Sequence, residues 1–281
     1  MRIARSDARF PPRLKAIFDP PPALYLRGSG DPELLASRSV AVVGARSCSP
    51  YGAQAARMLG RELAAAGLIV VSGLARGIDG EAHRGALEAG RPTVGVLGCG
   101  IDCDYPVVNA ALSRRIEEEG LVVSEYEPGV EPAPWRFPAR NRIIAGLCEA
   151  VVVVEARERS GALITADFAL EEGREVFAVP GEITSALSAG SNALLKLGAA
   201  PLTCAADVLE ALGIERAESG EEPAVSDAAQ KVLALVRDSA VAADEITVRA
   251  SLDAGALSVA LTELELAGLV AATDGVYRAV R

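Results

Sequence analysis

Three glycine loops and one arginine-aromatic segment hold the side chains with which this chain could do chemistry. Gly44-Ala-Arg46-Ser47-Cys48-Ser49-Pro50 joins an apolar run to a helical one. The N–H groups of a helix start there, the hydroxyls of Ser47 and Ser49 and the guanidinium of Arg46 would suit a phosphate. The spacing is neither G-x-G-x-x-G nor G-x-x-x-x-G-K-S, so neither cofactor motif is present in this loop. Its other reading is a tight turn with an ordinary N-cap. Ser72-Gly73-Leu-Ala-Arg-Gly-Ile-Asp79 with His83, and Gly98-Cys-Gly-Ile-Asp102 with Tyr105-Pro106, follow two more apolar runs. Glycines there permit close approach of a ligand to the backbone. Asp79 and Asp102 read as turn and cap residues, since spacing places no third metal ligand beside them. The single histidine, His83, reads as a structural hydrogen-bonder. Trp135-Arg136-Phe137-Pro-Ala-Arg140-Asn141-Arg142 brings three arginines to two aromatics. Aromatic faces stack on unpaired bases while arginines meet phosphates, which is single-strand binding chemistry. Equally, Trp135 and Phe137 could anchor a core while the arginines pair with Glu127 and Glu131; spacing leaves both open.

These loops need a frame. Six β-branched runs recur at Ser39–Gly44, Leu68–Gly73, Thr93–Gly98, Leu121–Ser124, Ala150–Glu155 and Glu175–Gly181. Being continuously apolar, they read as strands covered on both faces. Helical spacing fills most of the intervals: Tyr51–Ala66, Glu81–Ala89, Ala110–Glu119 and Ala162–Glu172. The cadence implies an α/β fold, a doubly wound, mostly parallel sheet with its ligand crevice at the carboxyl ends of the strands. Residues 1–38 read as a short, irregular lead-in packing on the main domain of 39–212. A polar linker is expected over 213–224, around Glu218-Ser-Gly-Glu-Glu-Pro223. Beyond it, three helical runs (Ala228–Arg237, Asp244–Ser251, Ala256–Leu266) and a hairpin around Asp274-Gly275 read as a small winged-helix domain over 225–281.

Composition narrows the function classes. Of 281 residues, 50% are hydrophobic and 23% charged, a globular balance that excludes disorder as the main state. No apolar run reaches the roughly 18 residues of a membrane helix, and charges occupy the N-terminus, so a cytoplasmic protein is expected. Five cysteines without a C-x-x-C pair imply reduced thiols and no structural zinc. The net charge of −10 is unevenly spread: residues 205–281 hold 6 basic and 14 acidic residues, and 1–204 hold 22 and 24. The larger part remains free to carry a local basic patch.

In order and spacing, Gly44-Ala-Arg46, Ser72–Asp79, Gly98–Asp102, Tyr105-Pro106, Ser124-Glu125, Phe137–Gly146, Ser160–Thr165 and Val179-Pro-Gly181 resemble the DNA-processing protein DprA (Smf) family. The resemblance spans residues 11–204 and implies an extended Rossmann-like domain followed by a winged helix. It also implies a homodimeric, non-enzymatic binder of single-stranded DNA, without cofactor or metal, that protects incoming strands and helps load RecA recombinase in natural transformation and competence. By motif, Arg46, Arg140, Asn141 and Arg142 would meet phosphates and Phe137 would stack on a base. Gly44, Ser47 and the loops Ser72-Gly73 and Ser160-Gly161 would complete the DNA-binding set. Arg46, Arg140 and Arg142 are accordingly expected to share one pocket. Pro134 stands where many members have a lysine, leaving that contact to Arg136 or another cation. The alternative is a nucleotide-cleaving N-glycosidase of the related Rossmann-like group. That enzyme would need P-G-G-x-G-T-x-x-E, where this chain has Val179-Pro-Gly-Glu182-Ile-Thr-Ser. From the acidic Gly255–Gly268 helix, the C-terminal module is expected to serve protein contacts through its Leu and Val face and not duplex DNA.

Overall fold

The computed structural model describes residues 1–214, 225–238, 241–273 and 275–279. Its contacts form two compact units, Met1–Ala217 and Glu218–Arg281. Strands of the first unit are β1 (Arg2–Ala4), β2 (Ala23–Arg27), β3 (Ser39–Val43), β4 (Ile69–Ser72), β5 (Thr93–Val96), β6 (Leu121–Ser124), β7 (Ala150–Val153), β8 (Glu175–Ala178) and β9 (Ala200–Pro201). Its helices are α1 (Pro12–Lys15), α2 (Pro50–Ala65), α3 (Ile78–Glu88), α4 (Ala110–Glu119), α5 (Arg136–Leu147), α6 (Gly161–Glu171), α7 (Ala189–Lys196) and α8 (Ala205–Ala211).

Among the described residues the strands form one sheet in the order β1-β2-β6-β5-β4-β3-β7-β8-β9. From β6 to β9 every pairing is parallel. Period-two side chains make two cores: Val40, Val42 and Val152 pack with residues of α2, α3 and α8, while Ala41, Val43 and Val151 pack with residues of α1, α5 and α6. Burial on both faces is why these strands lack polar alternation. The chain builds outward from β3 through β4, β5 and β6, then returns to the other side of β3 for β7. Loops after β3 and β7 therefore part company, which opens a crevice at the strand ends.

One part of this unit differs from the sequence reading, and one segment left without an assigned element takes shape. Residues 1–38 are not an irregular lead-in, because β1 and β2 extend the sheet as antiparallel strands, with Tyr25, Leu26 and Arg27 opposite Ser124, Val123 and Val122. Three successive prolines before β2 hid its short alternation. The arginine-aromatic segment is the first half of helix α5. Pro138 is tolerated in the first turn, where an N–H has no helical acceptor.

The second unit comprises α9 (Asp227–Asp238), β10 (Val241–Ala242), α10 (Ala243–Ala250), α11 (Ala254–Leu266), β11 (Val270–Thr273) and β12 (Val276–Ala279), with the strands ordered β10-β12-β11 and antiparallel. Residues 215–224 of the expected linker, and Asp274 of the expected turn, lie outside the described residues. The Leu and Val face expected to make protein contacts, against the Rossmann-like domain or a partner, is corrected here for its leucines. Leu257, Leu261 and Leu264 are buried in this unit's own core with Val232, Val236 and Ile246. Of the large apolar residues on α11, Val259 and Leu266 are left exposed.

Close approach of α2 to α3 depends on Gly60, where a Cβ would stand 2.3 Å from the Ala82 carbonyl oxygen. Helix propensity alone favours alanine over glycine by about 1 kcal/mol. The backbone clash outweighs it, so Gly60→Ala is expected to lower stability by about 1–3 kcal/mol. Thermal denaturation should show a Tm lower by about 2–4 °C per kcal/mol, and a raised Tm would refute the packing argument.

Candidate functional site

A cavity of about 350 Å³ opens where the loops after β3 and β7 diverge. Gly44, Arg46 and Ser47 border it from β3, Phe137, Arg140 and Asn141 from α5, and Ser160 and Gly161 from the start of α6. Arg157 and Arg159, in the loop after β7, also line it. Sequence reasoning missed these two; an Arg-x-Arg pair just before a serine-capped helix was the available signal.

The floor is polar and fully engaged. Arg140 is 4% exposed, donating to the carbonyls of Gly73 (2.8 Å) and Val96 and to Asn141 Oδ1 (3.3 Å). Burial pushes its pKa down to about 10, opposed by the nearby Asp79 carboxylate, so it stays charged at neutral pH. Asp79 Oδ2 accepts from the N–H groups of Gly73 (3.1 Å) and Ala75 (3.4 Å). Its carboxyl is raised by burial, against the pull of Arg140. Asn109 donates to the carbonyls of Leu74 and Ala75, both at 2.9 Å. Leu74 is thereby held at φ +55°, a left-handed conformation that costs a non-glycine residue energy. Asn141 Nδ2 donates to the Gly161 carbonyl at 3.0 Å and so joins α5 to the start of α6.

Three expected anion contacts are corrected. The α2 N-terminus is already filled: Glu155, 3% exposed, accepts from Ser49 N (2.9 Å) and Ser49 Oγ (2.6 Å). A Cβ on Gly52 would meet this carboxylate at 2.3 Å. The Gly73 N–H is spent on Asp79 and the buried Ser72 hydroxyl on the Val42 carbonyl (2.6 Å). Arg142 lines no part of the cavity and is bound by Asp19 (2.9 Å) and Glu125 (2.7 Å), so Arg46, Arg140 and Arg142 do not share one pocket.

Phe137 has the Tyr105 ring stacked on it at 5.2 Å and 28° and the Arg46 guanidinium 5.4 Å from its ring centre. Trp135 is 63% exposed, hence no core anchor. Arg136 lies 5.0 Å from its ring and 5.1 Å from that of Tyr126, and donates to the Glu131 carbonyl.

His83 is buried, its Nδ1 2.8 Å from Thr93 Oγ1, and burial drives its pKa down to about 3. Asp102 caps a turn by accepting from Gly129 N. Among the described residues no group of three His, Cys, Asp or Glu could hold a metal, and no helix is long and apolar enough to cross a membrane.

Comparison with known proteins agrees with this architecture. The model of the family "DNA recombination-mediator protein A" matches residues 1–213, and that of the "DprA winged helix domain" matches 216–275. This chain belongs to the DprA family. DNA processing protein DprA of Streptococcus pneumoniae is 48% identical over 203 residues, 72% of this chain and 71% of that protein. Protein Smf of Escherichia coli is 41% identical over 288 residues, 98% of this chain and 76% of that one. The X-ray structure of the Streptococcus pneumoniae DprA superposes with a TM-score of 0.71 at 45% identity, over 75% of this chain and 73% of that one. DNA processing protein A of Helicobacter pylori, whose structure is described for its single-stranded DNA binding mode, gives 0.66 at 33% identity over 72% and 92%. The family description names a recombination mediator. The second unit of this DprA is a winged helix.

Pro134, where the resemblance implies a lysine, is exposed. Arg136 does not line the cavity, so the added positive charge at its wall comes from Arg157 and Arg159.

His83 also sets a pH dependence. Its neutral ring is favoured in the folded state, whereas in the unfolded chain it takes up a proton near pH 6.5. This stabilisation is intact above about pH 6.5 and declines as pH falls toward 3, at up to about 1.4 kcal/mol per pH unit. Urea denaturation from pH 6.5 to 4 should show a shallower decline for His83→Gln than for the wild type. Equal slopes would contradict the buried neutral ring.

Proposed function

We propose that this DprA binds single-stranded DNA along the crevice beyond β3 and β7 and acts as a recombination mediator. It protects incoming strands and hands them to RecA during natural transformation, as a homodimer in the cytoplasm. One observation carries the DNA reading: arginines in no ion pair among the described residues occur elsewhere too, such as Arg91 and Arg114, but Arg46, Arg157 and Arg159 are gathered around one concave site at the strand ends. Arg13, Arg27, Arg38, Arg57, Arg84 and Arg142 are each held by carboxylates. Arg46, Arg76, Arg157 and Arg159 belong to no ion pair among the described residues. Unpaired guanidinium groups around a concave site are what phosphates require, and Phe137 between them adds an aromatic face for a base. The Helicobacter pylori relative, described as a single-stranded DNA binder, supports the choice of ligand. RecA and the homodimer rest on the family resemblance, and the cytoplasmic location on the reduced thiols and the lack of a membrane-crossing helix among the described residues. The glycosidase alternative loses its candidate carboxylate, since Glu182 is exposed and lines no part of the cavity.

Arg46→Ala and Arg159→Ala should each weaken binding of all oligonucleotides alike and lower the salt slope by about 0.7. Arg142→Ala should lower the Tm yet leave that slope unchanged. A salt titration by fluorescence anisotropy reads both, and a slope insensitive to Arg46 and Arg159 would refute this placement.

Helix α11 has two glutamates and no Lys, Arg, Asn or Gln to offer a major groove. Removing residues 225–281 should leave single-strand affinity within about threefold, under the 1.4 kcal/mol of a tenfold change. A loss of tenfold or more would place DNA contacts in the winged helix.

A further inference from the structure

The loop after β5 carries two cysteines on either side of one turn. The Cys103 N–H donates to the Gly100 carbonyl at 3.0 Å, closing a turn over Gly100-Ile-Asp-Cys103 whose ends lie within about 7 Å. Cys99 immediately precedes that turn, and its thiol is hydrogen-bonded to the thiol of Cys103. Both pack in one apolar cluster with Leu74, Leu97, Ile101 and Leu112. They differ in access. Cys99 is fully buried, and burial, with the Cys103 thiol beside it, pushes its own thiol up to about 12. Cys103 is partly exposed at the edge of the cluster. An oxidant from solution therefore meets Cys103 first, with a second thiol in reach behind it, which is the arrangement of a redox-sensing pair.

The turn is wedged on its inner side. A Cβ on Gly98 would stand 2.8 Å from Phe137 Cδ1, and one on Gly100 would stand 2.7 Å from the Glu127 carbonyl oxygen. The Gly100 N–H donates to the Val130 carbonyl at 2.7 Å, the Cys99 carbonyl accepts from Ser124 Oγ at 2.6 Å, and Asp102 accepts from Gly129 N. The outer limb is tied at the surface, by Asp104 to Arg27 (2.9 Å), where an ion pair holds little. It ends at Tyr105, whose ring rests on Phe137 and is 40% exposed. A disulfide bond is about 2.05 Å long, much shorter than a contact between two thiols, so closing one shortens the span across the turn. With the inner limb held, the outer limb moves, and it carries Tyr105.

We propose that Cys99 and Cys103 are an oxidation site, at which hydrogen peroxide converts the dithiol to an intrachain disulfide that draws Tyr105 off Phe137 and weakens strand binding. In the first step the Cys103 sulfur attacks one peroxide oxygen, giving a sulfenic acid and one water. In the second the Cys99 sulfur attacks that sulfur. The S–S bond forms, the S–O bond breaks, and the hydroxyl leaves as water with the remaining thiol proton. Two thiols and one peroxide thus give one disulfide and two waters, with two electrons passing from sulfur to oxygen. A dithiol reductant reverses the change by exchange. Disulfides of proteins in reducing compartments are of this transient, sensing kind. The effect on binding rests on the strand-binding reading of the crevice, and the oxidation itself does not.

The test uses the full chain, first reduced and then exposed to hydrogen peroxide, with and without later dithiothreitol. The tryptic peptide Gly85–Arg114 holds Cys99 and Cys103 and no other cysteine. After oxidation its mass should be lower by two hydrogens and it should take up no alkylating reagent, and dithiothreitol should restore both thiols. By fluorescence anisotropy the oxidised chain should bind a thymidine oligonucleotide about tenfold more weakly, the order of one lost aromatic contact, and regain its affinity on reduction. Cys103→Ser, at a partly exposed position, should bind like the reduced wild type before and after peroxide, and Cys103→Ala should do the same if serine disturbs folding. Sulfinic acid on Cys103 without the loss of two hydrogens would overturn the pair. A disulfide that leaves affinity within twofold would overturn the switch, as would an equal loss of affinity in oxidised Cys103→Ser. If the reduced chain binds no oligonucleotide, the strand-binding reading fails, while the peptide mass still decides the disulfide.

Discussion

The burial of Arg140 is the constraint on which the rest of the site depends. A guanidinium removed from water must find acceptors, because an unmet buried charge is far costlier than any single contact it makes. Arg140 finds them at the ends of β4 and β5, on the carbonyls of Gly73 and Val96, with Asp79 close enough to oppose the burial penalty. Those acceptors exist only if α5 packs across the strand ends and the Gly73–Ala75 turn holds its strained path. One buried charge thus couples helix α5, two strand ends and the turn beside the cavity. Arg46 and Phe137, one ring and one guanidinium apart, stand on that platform.

A doubly wound sheet offers an anion two helix N-termini at its switch point, and this chain treats them differently. The α2 terminus is closed by the chain's own Glu155, whose carboxylate takes the N–H and hydroxyl of Ser49 and fills the space that Gly52 leaves. A phosphate there would face a buried negative charge at close range. The α6 terminus instead borders the open cavity, with Arg157, Arg159 and Ser160 around it. This explains how a Rossmann-like frame gives up the usual dinucleotide position and still presents a cationic crevice.

Overall charge says little about such a surface. The chain carries −10, yet most of that net charge lies after residue 204, and some carboxylates elsewhere, such as Glu149 and Glu88, are engaged by the structural arginines Arg13, Arg38 and Arg57. What matters to a phosphate is the charge within a Debye length, about 8–10 Å, and Arg46, Arg157 and Arg159 line the cavity itself.

Residue order alone determined the strand and helix cadence, the glycine loops and the supply of arginines, because period-two and period-3.6 burial are local properties of the backbone. The doubly wound frame and the winged helix were legible for that reason, and so was the place of the crevice. The order and spacing of the glycine and arginine motifs likewise pointed to the family. Tertiary structure decided which charges are free. Arg142 sits two residues from Arg140 in the same helix, but Asp19, 123 residues away, and Glu125 neutralise it, while Glu155 reaches Ser49 across 106 residues. It also turned the leucine face of α11 inward and drew β1 and β2 into the sheet. Pairing of charges and filling of cores follow distance in space, which periodicity along a chain does not encode.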